Sequence, residues 1–430
     1  MITSLPATAL RKLRQFTRKL WVRVVLMGLL AIASLGLTQL FNPVIPARFS
    51  VYLHEISADR LLDIIANAML AVTTFALTVM VSVYRSSASQ WTPRVHSLIM
   101  EDTTTQNTLA VFIGAYVYAL TAIIMQELGV YSDEHGVVLF GVTVLVLLLI
   151  VIYLIRWTLH LQTLGSLLDT SRDLESQTRA LLEDRREMPC LGANPLTRNT
   201  VISEAARDVL ATETGYIRHI YPEALNEAAE KTGMNVYLVR AVGSFVFRGD
   251  ILAHVSGTSE TDSDTTDFDK TLLDHITIGD QRSYDQDPRF GLLAMGEIAS
   301  KALSPGVNDP GTAIDIITRL GRILMVCKSA YDSDETIRHP FLWSRPMDPA
   351  DLLEDAFGAL ARDGANNIEV QQRLQHTLTG LIEHAEPGIR TAAADMAALA
   401  YRRAQETLAF EDDRTRLTSS TCRTVLDQAG

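Results

Sequence analysis

The sequence is poor in cysteine, with only Cys190, Cys327 and Cys422 among its 430 residues. The three are far apart, and no two form a Cys-x-x-Cys pair. This spacing excludes a disulfide framework and the common zinc-binding patterns, and it favours a reducing compartment for most of the chain.

The sequence also lacks the short motifs that mark common catalytic sites. It has no GxxxxGK[ST] phosphate loop, no HExxH, no GxSxG and no GxGxxG dinucleotide fingerprint. The histidines are scattered without metal-ligand spacing, and His160 is expected at a membrane interface rather than in a catalytic site. We therefore predict no catalytic residue, no metal site, no cofactor and no enzymatic activity.

Basic charge is scarce in the C-terminal part. Residues 1–160 hold 11 Lys and Arg against 8 Asp and Glu, whereas the remainder holds 27 against 42. Phosphate backbones are bound by clustered basic side chains. The acidic balance therefore makes nucleic acid an unexpected partner.

Long apolar runs, by contrast, are abundant in the first 160 residues. Four stretches reach the length of about 20 apolar residues that a membrane-spanning helix needs, namely 21–41, 61–84, 108–126 and 136–157. Residues 1–20 are a basic arm without acidic side chains, and Arg85 and Arg94 follow the second stretch. The positive-inside rule then predicts a multi-pass protein with both termini in the cytoplasm.

The second apolar stretch differs from the others in its many small and polar residues. Its polar members are Asp63, Asn67, Thr74, Thr78 and Ser82. Small residues let membrane helices approach closely, and hydroxyl groups can bond across such an interface. Two interpretations follow: this helix lines a pore or gate, or it packs tightly within a bundle or between subunits of a homo-oligomer.

The C-terminal part is predicted to be a cytoplasmic α+β domain. Residues 158–214 are expected to form a helical connector with a short helix over 202–211, residues 215–280 a small β barrel, and residues 281–430 a mainly helical region. The full predicted architecture is a basic arm over 1–20, a four-helix transmembrane domain over 21–157, and this domain.

The stretch SPGVNDPGTA, residues 304–313, separates two predicted helices. Asp309 is a good N-cap and Pro310 suits the first helical position, so the stretch is explained as a corner between helices. A helix N-terminus also attracts anions, so the same corner could bind a ligand. The candidate residues are Arg282, Arg289, Ser304, Pro305, Asn308, Asp309, Pro310 and Thr312.

Two segments together resemble a known family. They are SASQWTPR, which contains Ser89, Gln90, Trp91, Thr92, Pro93 and Arg94, and RSYDQDPRFGLLAMGEIASKALSPGVNDPGTAIDIITRL, residues 282–320. The chain resembles the bacterial membrane proteins known as domain of unknown function 2254. That resemblance implies an integral inner-membrane protein with N-terminal spans and a cytoplasmic domain, and it implies no activity.

The architecture predicts an oligomeric channel or transporter-like protein with a cytosolic regulatory domain. One alternative is a non-conducting sensor or scaffold whose cytosolic domain docks a ligand or partner at the Asn308-Asp309 corner. A third interpretation is a membrane-embedded enzyme, for which the sequence names no substrate. Expected partners are membrane lipid, further copies of the chain, and ions or a small anionic ligand. These expectations rest on architecture and not on a recognised site.

Overall fold

The computed structural model describes residues 21–22, 25–26, 28–29, 32–33, 58–100, 102–128, 136–257, 262–327 and 337–429. The chain divides into two compact units, residues 1–170 and 171–430. Each unit has its own apolar core.

The N-terminal unit is built from helices. They are α1 (Ala58–Gln90), α2 (Pro93–Met100), α3 (Thr103–Glu127) and α4 (Gly136–Leu161). Apolar residues at helical spacing on α1, including Leu62, Ile65 and Met69, are buried with Phe112 and Tyr118 of α3. This shared core holds the helices together.

Three helical segments within the described residues are long and apolar enough to cross a membrane: 60–90, 93–127 and 139–161. The first two contain the second and third predicted spans, and the last covers all but the first three residues of the fourth. The first predicted span, 21–41, falls largely outside the described residues. On α4, Leu145 and Leu148 are more than half exposed, which suits side chains that face lipid.

The C-terminal unit combines helices and strands. In chain order they are α5 (Leu167–Glu187, whose first residues belong to the N-terminal unit), a 3-10 turn (Pro189–Gly192), β1 (Ala193–Pro195), β2 (Arg207–Leu210), β3 (Gly215–Ile220), α6 (Pro222–Thr232), β4 (Asn235–Leu238), β5 (Phe245–Val246), β6 (Ile251–Ser256), α7 (Asp262–Asp274), β7 (Ile276–Gly279), α8 (Pro288–Ala302), α9 (Pro310–Leu324), β8 (His339–Ser344), α10 (Pro349–Leu353), a π-helical turn (Glu354–Gly358), α11 (Ala359–Asp363), α12 (Ile368–His384), α13 (Pro387–Thr407), α14 (Glu411–Ser420) and α15 (Arg423–Ala429). The α+β class of the prediction is confirmed.

The described strands form two sheets in place of the predicted barrel. One has five strands in the order β1-β8-β4-β6-β2, and the other has three in the order β5-β3-β7. Strand β8 lies between β1 and β4 and runs parallel to both, although it is far from them in sequence. Parallel pairing requires long connections, so no local pattern in residues 215–280 indicates it.

The predicted helical connector is also wrong beyond α5. The chain forms β1 and β2 within residues 158–214, and the short helix expected over 202–211 is a loop followed by β2. Val209 of β2 is buried in the core that the five-stranded sheet shares with α6 and α7. Burial of Val209 and pairing with β6 outweigh the weak helical pattern of this segment.

Candidate functional site

Helix α1 has two unlike faces. One carries the buried residues Leu62, Ile65, Met69 and Ala76, which pack on α3 and α4. The opposite face is exposed and includes all of the polar residues singled out from the sequence: Asp63, Asn67, Thr74, Thr78 and Ser82. With 3.6 residues per turn, most of them align in a row along the helix, and Ser82 lies at its flank.

The polar groups of this row bond mainly within α1. Asn67 Nδ2 donates to the Asp63 carbonyl at 2.9 Å, Thr74 Oγ1 to the Leu70 carbonyl at 2.8 Å, and Thr78 Oγ1 to the Thr74 carbonyl at 2.9 Å. Each hydroxyl proton is therefore used inside the helix, while the oxygen lone pairs point outward. No other helix is needed to satisfy these donors.

An open cavity of about 470 Å³ lies against this face. Its described lining consists of Thr74, Leu77, Thr78, Val81, Ser82 and Arg85. Three hydroxyl groups and one guanidinium thus share a surface with two aliphatic side chains. The described lining is therefore amphipathic.

The SASQWTPR motif forms the turn from α1 to α2. Ser89 Oγ donates to the Ser86 carbonyl at 2.8 Å, and Gln90 Nε2 to Ser86 Oγ at 3.2 Å. Trp91 and Thr92 are buried, whereas Pro93 and Arg94 are exposed at the start of α2. The motif is therefore a folded turn rather than an open loop.

Sequence reasoning missed a hydrogen bond between a histidine and an aspartate at the same end of this unit. His160 Nε2 lies 2.7 Å from Asp102 Oδ2, and Asp102 also caps α3 by accepting from the amides of Thr104 and Thr105. The pair joins the end of α4 to the start of α3. The only local signal was an aspartate before three threonines, which is typical of an N-cap.

In the C-terminal unit, the SPGVNDPGTA stretch is an exposed and tightly bonded corner. Asp309 Oδ1 accepts from the Thr312 amide at 3.1 Å and Oδ2 from the Thr312 hydroxyl at 2.5 Å, and Pro310 is the first residue of α9. These bonds hold the pKa of Asp309 below its usual value. Asn308 has a φ of 51°, and its amide donates to the Ser304 carbonyl. A carboxylate thus already occupies the N-terminus where an anion was considered, and Pro305 is exposed beside it.

The two arginines assigned to this corner bind carboxylates elsewhere. Arg282 makes a bidentate pair with buried Asp287, at 2.8 and 2.9 Å, and Asp287 caps α8. Arg289 contacts Asp351 at 2.5 Å and Asp355 at 2.6 Å. The structure therefore does not bring Arg282 and Arg289 together with the corner as one site.

Helix α5 is held by long-range contacts that sequence reasoning did not identify. Glu175 accepts from Arg319 at 2.7 Å and from Arg322 at 2.9 Å, both on α9. Arg185 donates to the Gln286 carbonyl at 3.0 Å. A Cβ at Gly291 of α8 would overlap Thr178, so these helices touch closely there. The helix that connects the two units is thus bound to the helices on both sides of the corner.

A polar and aromatic row crosses the five-stranded sheet and also escaped prediction. Register places Asn194, Trp343, Tyr237, His254 and Asp208 side by side on successive strands. Tyr237 and Trp343 stack at 4.7 Å, and His254 Nδ1 lies 2.7 Å from Asp208 Oδ1. Among the residues that the structure describes, no group of three or more His, Cys, Asp or Glu could hold a metal ion.

Comparison with known proteins gives the family. The model of a family described as predicted membrane protein (DUF2254) matches residues 17–380. The chain belongs to this family. The match spans both units, so the DUF2254 region includes the membrane helices, the sheets, the corner and most of α12.

Relatives of this DUF2254 chain occur in mycobacteria. An uncharacterized protein of Mycobacterium bovis and one of Mycobacterium tuberculosis are each 25% identical over 379 residues, which is 85% of this chain and 72% of theirs. No solved structure matches the chain. The family and the apolar helices establish a membrane protein that contacts lipid, and they assign no activity to the faces described above.

Proposed function

We propose that this DUF2254 protein is an oligomeric channel or transporter-like protein of the bacterial inner membrane, in which α1 helices from several copies line the path. The observation that carries this proposal is the polar face of α1, which lies opposite its packed face and borders a cavity. Polar side chains in a membrane-spanning helix usually face protein or a water-filled space. One helix cannot enclose such a space, so copies of α1 would surround it.

The C-terminal unit would regulate this path from the cytoplasm. Its support is the position of α5, which follows the last membrane helix in the chain and is bound by α9 through Glu175. A shift of α9 would move α5 directly, because Arg319 of α9 is bonded to Glu175 of α5. The basic N-terminal arm and Arg85 support a cytoplasmic side for both termini.

The proposal predicts that purified protein in liposomes passes ions and that Thr74→Trp blocks the flux, because the indole would fill the cavity. Ala68→Trp is the matched control, since Ala68 is exposed on the same helix about 120° around from Thr74. Flux that stops in Thr74→Trp and persists in Ala68→Trp supports the path. Absence of flux from folded wild-type protein, or equal loss in both variants, contradicts it.

A second candidate function is a non-conducting sensor or scaffold that docks a partner at the corner. Val307 at its tip is 53% exposed, and α9, the helix that Asp309 caps, contacts α5 through Arg319. This function is favoured if no flux occurs while changes at Asp309 abolish partner binding. The absence of enzymatic activity stays a prediction.

A further inference from the structure

Arg85 is the charged side chain in the described lining of the α1 cavity. It is exposed, and it lines the cavity together with Thr78 and Ser82. Within the described residues its guanidinium makes neither a hydrogen bond nor an ion pair. An arginine retains its charge, so this cavity wall has a fixed positive charge, and no carboxylate stands among its described lining residues to balance it.

No acid on the same face neutralises Arg85. Asp63 is the acidic residue of the row, and it is 22 positions away. At 1.5 Å per residue this separation is about 33 Å, several times the screening length of about 8 Å in physiological salt. Arg60 lies one turn before Asp63, and its positive charge offsets the negative charge of Asp63 at the start of α1.

The hydroxyl groups beside Arg85 do not reverse the attraction of its positive charge for anions. Thr74 and Thr78 present oxygen lone pairs, because their protons are donated to carbonyls of the same helix. These are neutral dipoles, and a neutral dipole attracts an ion less strongly than a full charge at a similar distance. Ser82 can turn its hydroxyl proton toward an anion next to Arg85.

We propose that the path admits small inorganic anions such as chloride in preference to cations, and that Arg85 determines this specificity. The inference rests on the proposed function, because only an assembly of several copies brings several Arg85 side chains around one path. Rings of Arg or Lys are the usual selectivity element of anion pores. The conducted ion would exchange part of its water shell for guanidinium and Ser82 contacts.

The simplest competing explanation for Arg85 is membrane topology, because basic residues gather at the cytoplasmic ends of spans whatever the protein does. Arg156 provides a matched control. It is exposed near the end of α4, on the same predicted side, and it does not line the cavity. Topology alone makes Arg85 and Arg156 equivalent, whereas an anion path makes only Arg85 important.

The test is the reversal potential across a bilayer with a potassium chloride gradient, for wild type, Arg85→Gln, Arg85→Lys and Arg156→Gln. We expect wild type to prefer chloride over potassium. We expect Arg85→Gln to lose this preference, with a permeability ratio falling toward one, while Arg85→Lys and Arg156→Gln keep it. Each protein is measured in phosphatidylcholine alone and with phosphatidylglycerol added.

The outcomes separate this inference from the proposed function. One contradicting outcome is a current that Thr74→Trp blocks but that prefers potassium over chloride. Another is a current that Thr74→Trp blocks but whose chloride preference is unchanged in Arg85→Gln. Either outcome overturns the anion path while the channel proposal stays supported. A chloride preference seen only with phosphatidylglycerol would show that Arg85 pairs with a lipid headgroup, which also overturns it. Absence of any current removes the channel and the inference together.

Discussion

Helix α1 of the N-terminal unit and two arginines of the C-terminal unit satisfy their polar groups in different ways. On α1, Asn67, Thr74 and Thr78 bond to carbonyls four residues earlier in the same helix. In the C-terminal unit, Arg289 and Arg319 contact carboxylates 66 and 144 residues away in sequence. Local bonding leaves a helix face free for another molecule, whereas long-range bonding fixes one helix against another.

Apolar side chains show the same contrast. Ile64, Phe75 and Leu145 of the N-terminal unit are each more than half exposed, while Leu320 and Leu342 of the C-terminal unit are fully buried. Both patterns keep apolar surface away from water. In the N-terminal unit lipid covers that surface, and in the C-terminal unit other protein side chains cover it. We therefore expect polar substitutions to destabilise the C-terminal unit more than α1.

The largest effect is expected at Arg319, which is 8% exposed and lies between Asp315 and Glu175. Arg319→Met would leave two carboxylates facing an apolar side chain, one of them largely buried. Loss of one partner of a buried pair costs about 3 kcal/mol. Hydrogen exchange of α9 amides in the full chain should show this loss as faster exchange.

Arg322→Met is the matched control for Arg319→Met. Arg322 contacts the same Glu175, but its side chain is 56% exposed. Exposed ion pairs contribute at most about 1 kcal/mol. Equal effects of the two substitutions would show that burial does not decide the strength of this contact, and the contrast between the units would lose its physical basis.

The structure of the SPGVNDPGTA corner could be predicted from the sequence, because its capping interactions are between residues close together in the chain. The Asp309-Pro310 pair predicts a cap and a first turn, and the structure has both. By contrast, the face of α1 that carries Leu62, Ile65 and Met69 was not singled out from the sequence, although these residues form its packed side. Short-range sequence rules are sufficient to predict the local structure wherever the interacting residues lie within one or two helical turns of each other.

The contacts of Glu175 and the row across the sheet were not accessible in this way. Glu175 meets Arg319 only because α5 and α9 pack together, and Tyr237 meets Trp343 only because β4 and β8 pair in parallel. A charged residue on a helix is usually solvated, so Glu175 gave no signal. Strand β8 comes from outside residues 215–280 and pairs in parallel with β1 and β4, so the barrel predicted from that segment alone is not confirmed.

An intermediate effect is expected at the corner. Asp309→Ala removes the acceptor for the Thr312 amide and hydroxyl, and loss of an N-cap costs about 1 kcal/mol. Asp309→Asn is the control, because an amide oxygen can still accept. Exchange of the first α9 amides measures both variants. Similar exchange in Asp309→Ala and wild type would contradict the capping role.

The Asp309 carboxylate makes the stability of the corner depend on pH. Its pKa is lowered in the folded chain, chiefly by the bond from the Thr312 hydroxyl. A lowered pKa means that the charged form stabilises the fold above the unfolded value of about 3.9, and that this contribution is lost as pH falls through the folded pKa. Asp309→Asn should remove that part of the acid sensitivity.

The smallest effect is expected on α1 itself. Thr78→Val keeps the side-chain shape and removes only a hydroxyl that bonds to the Thr74 carbonyl. Because this bond is local and exposed, the free energy of unfolding should change by about 0.5 kcal/mol or less. Exchange of α1 amides in detergent and in liposomes measures the change. A much larger loss in both media would mean that Thr78 is packed against another helix, so the face would be an interface and not a wetted path. A small loss in both, together with altered flux, would place Thr78 on the path without a structural role.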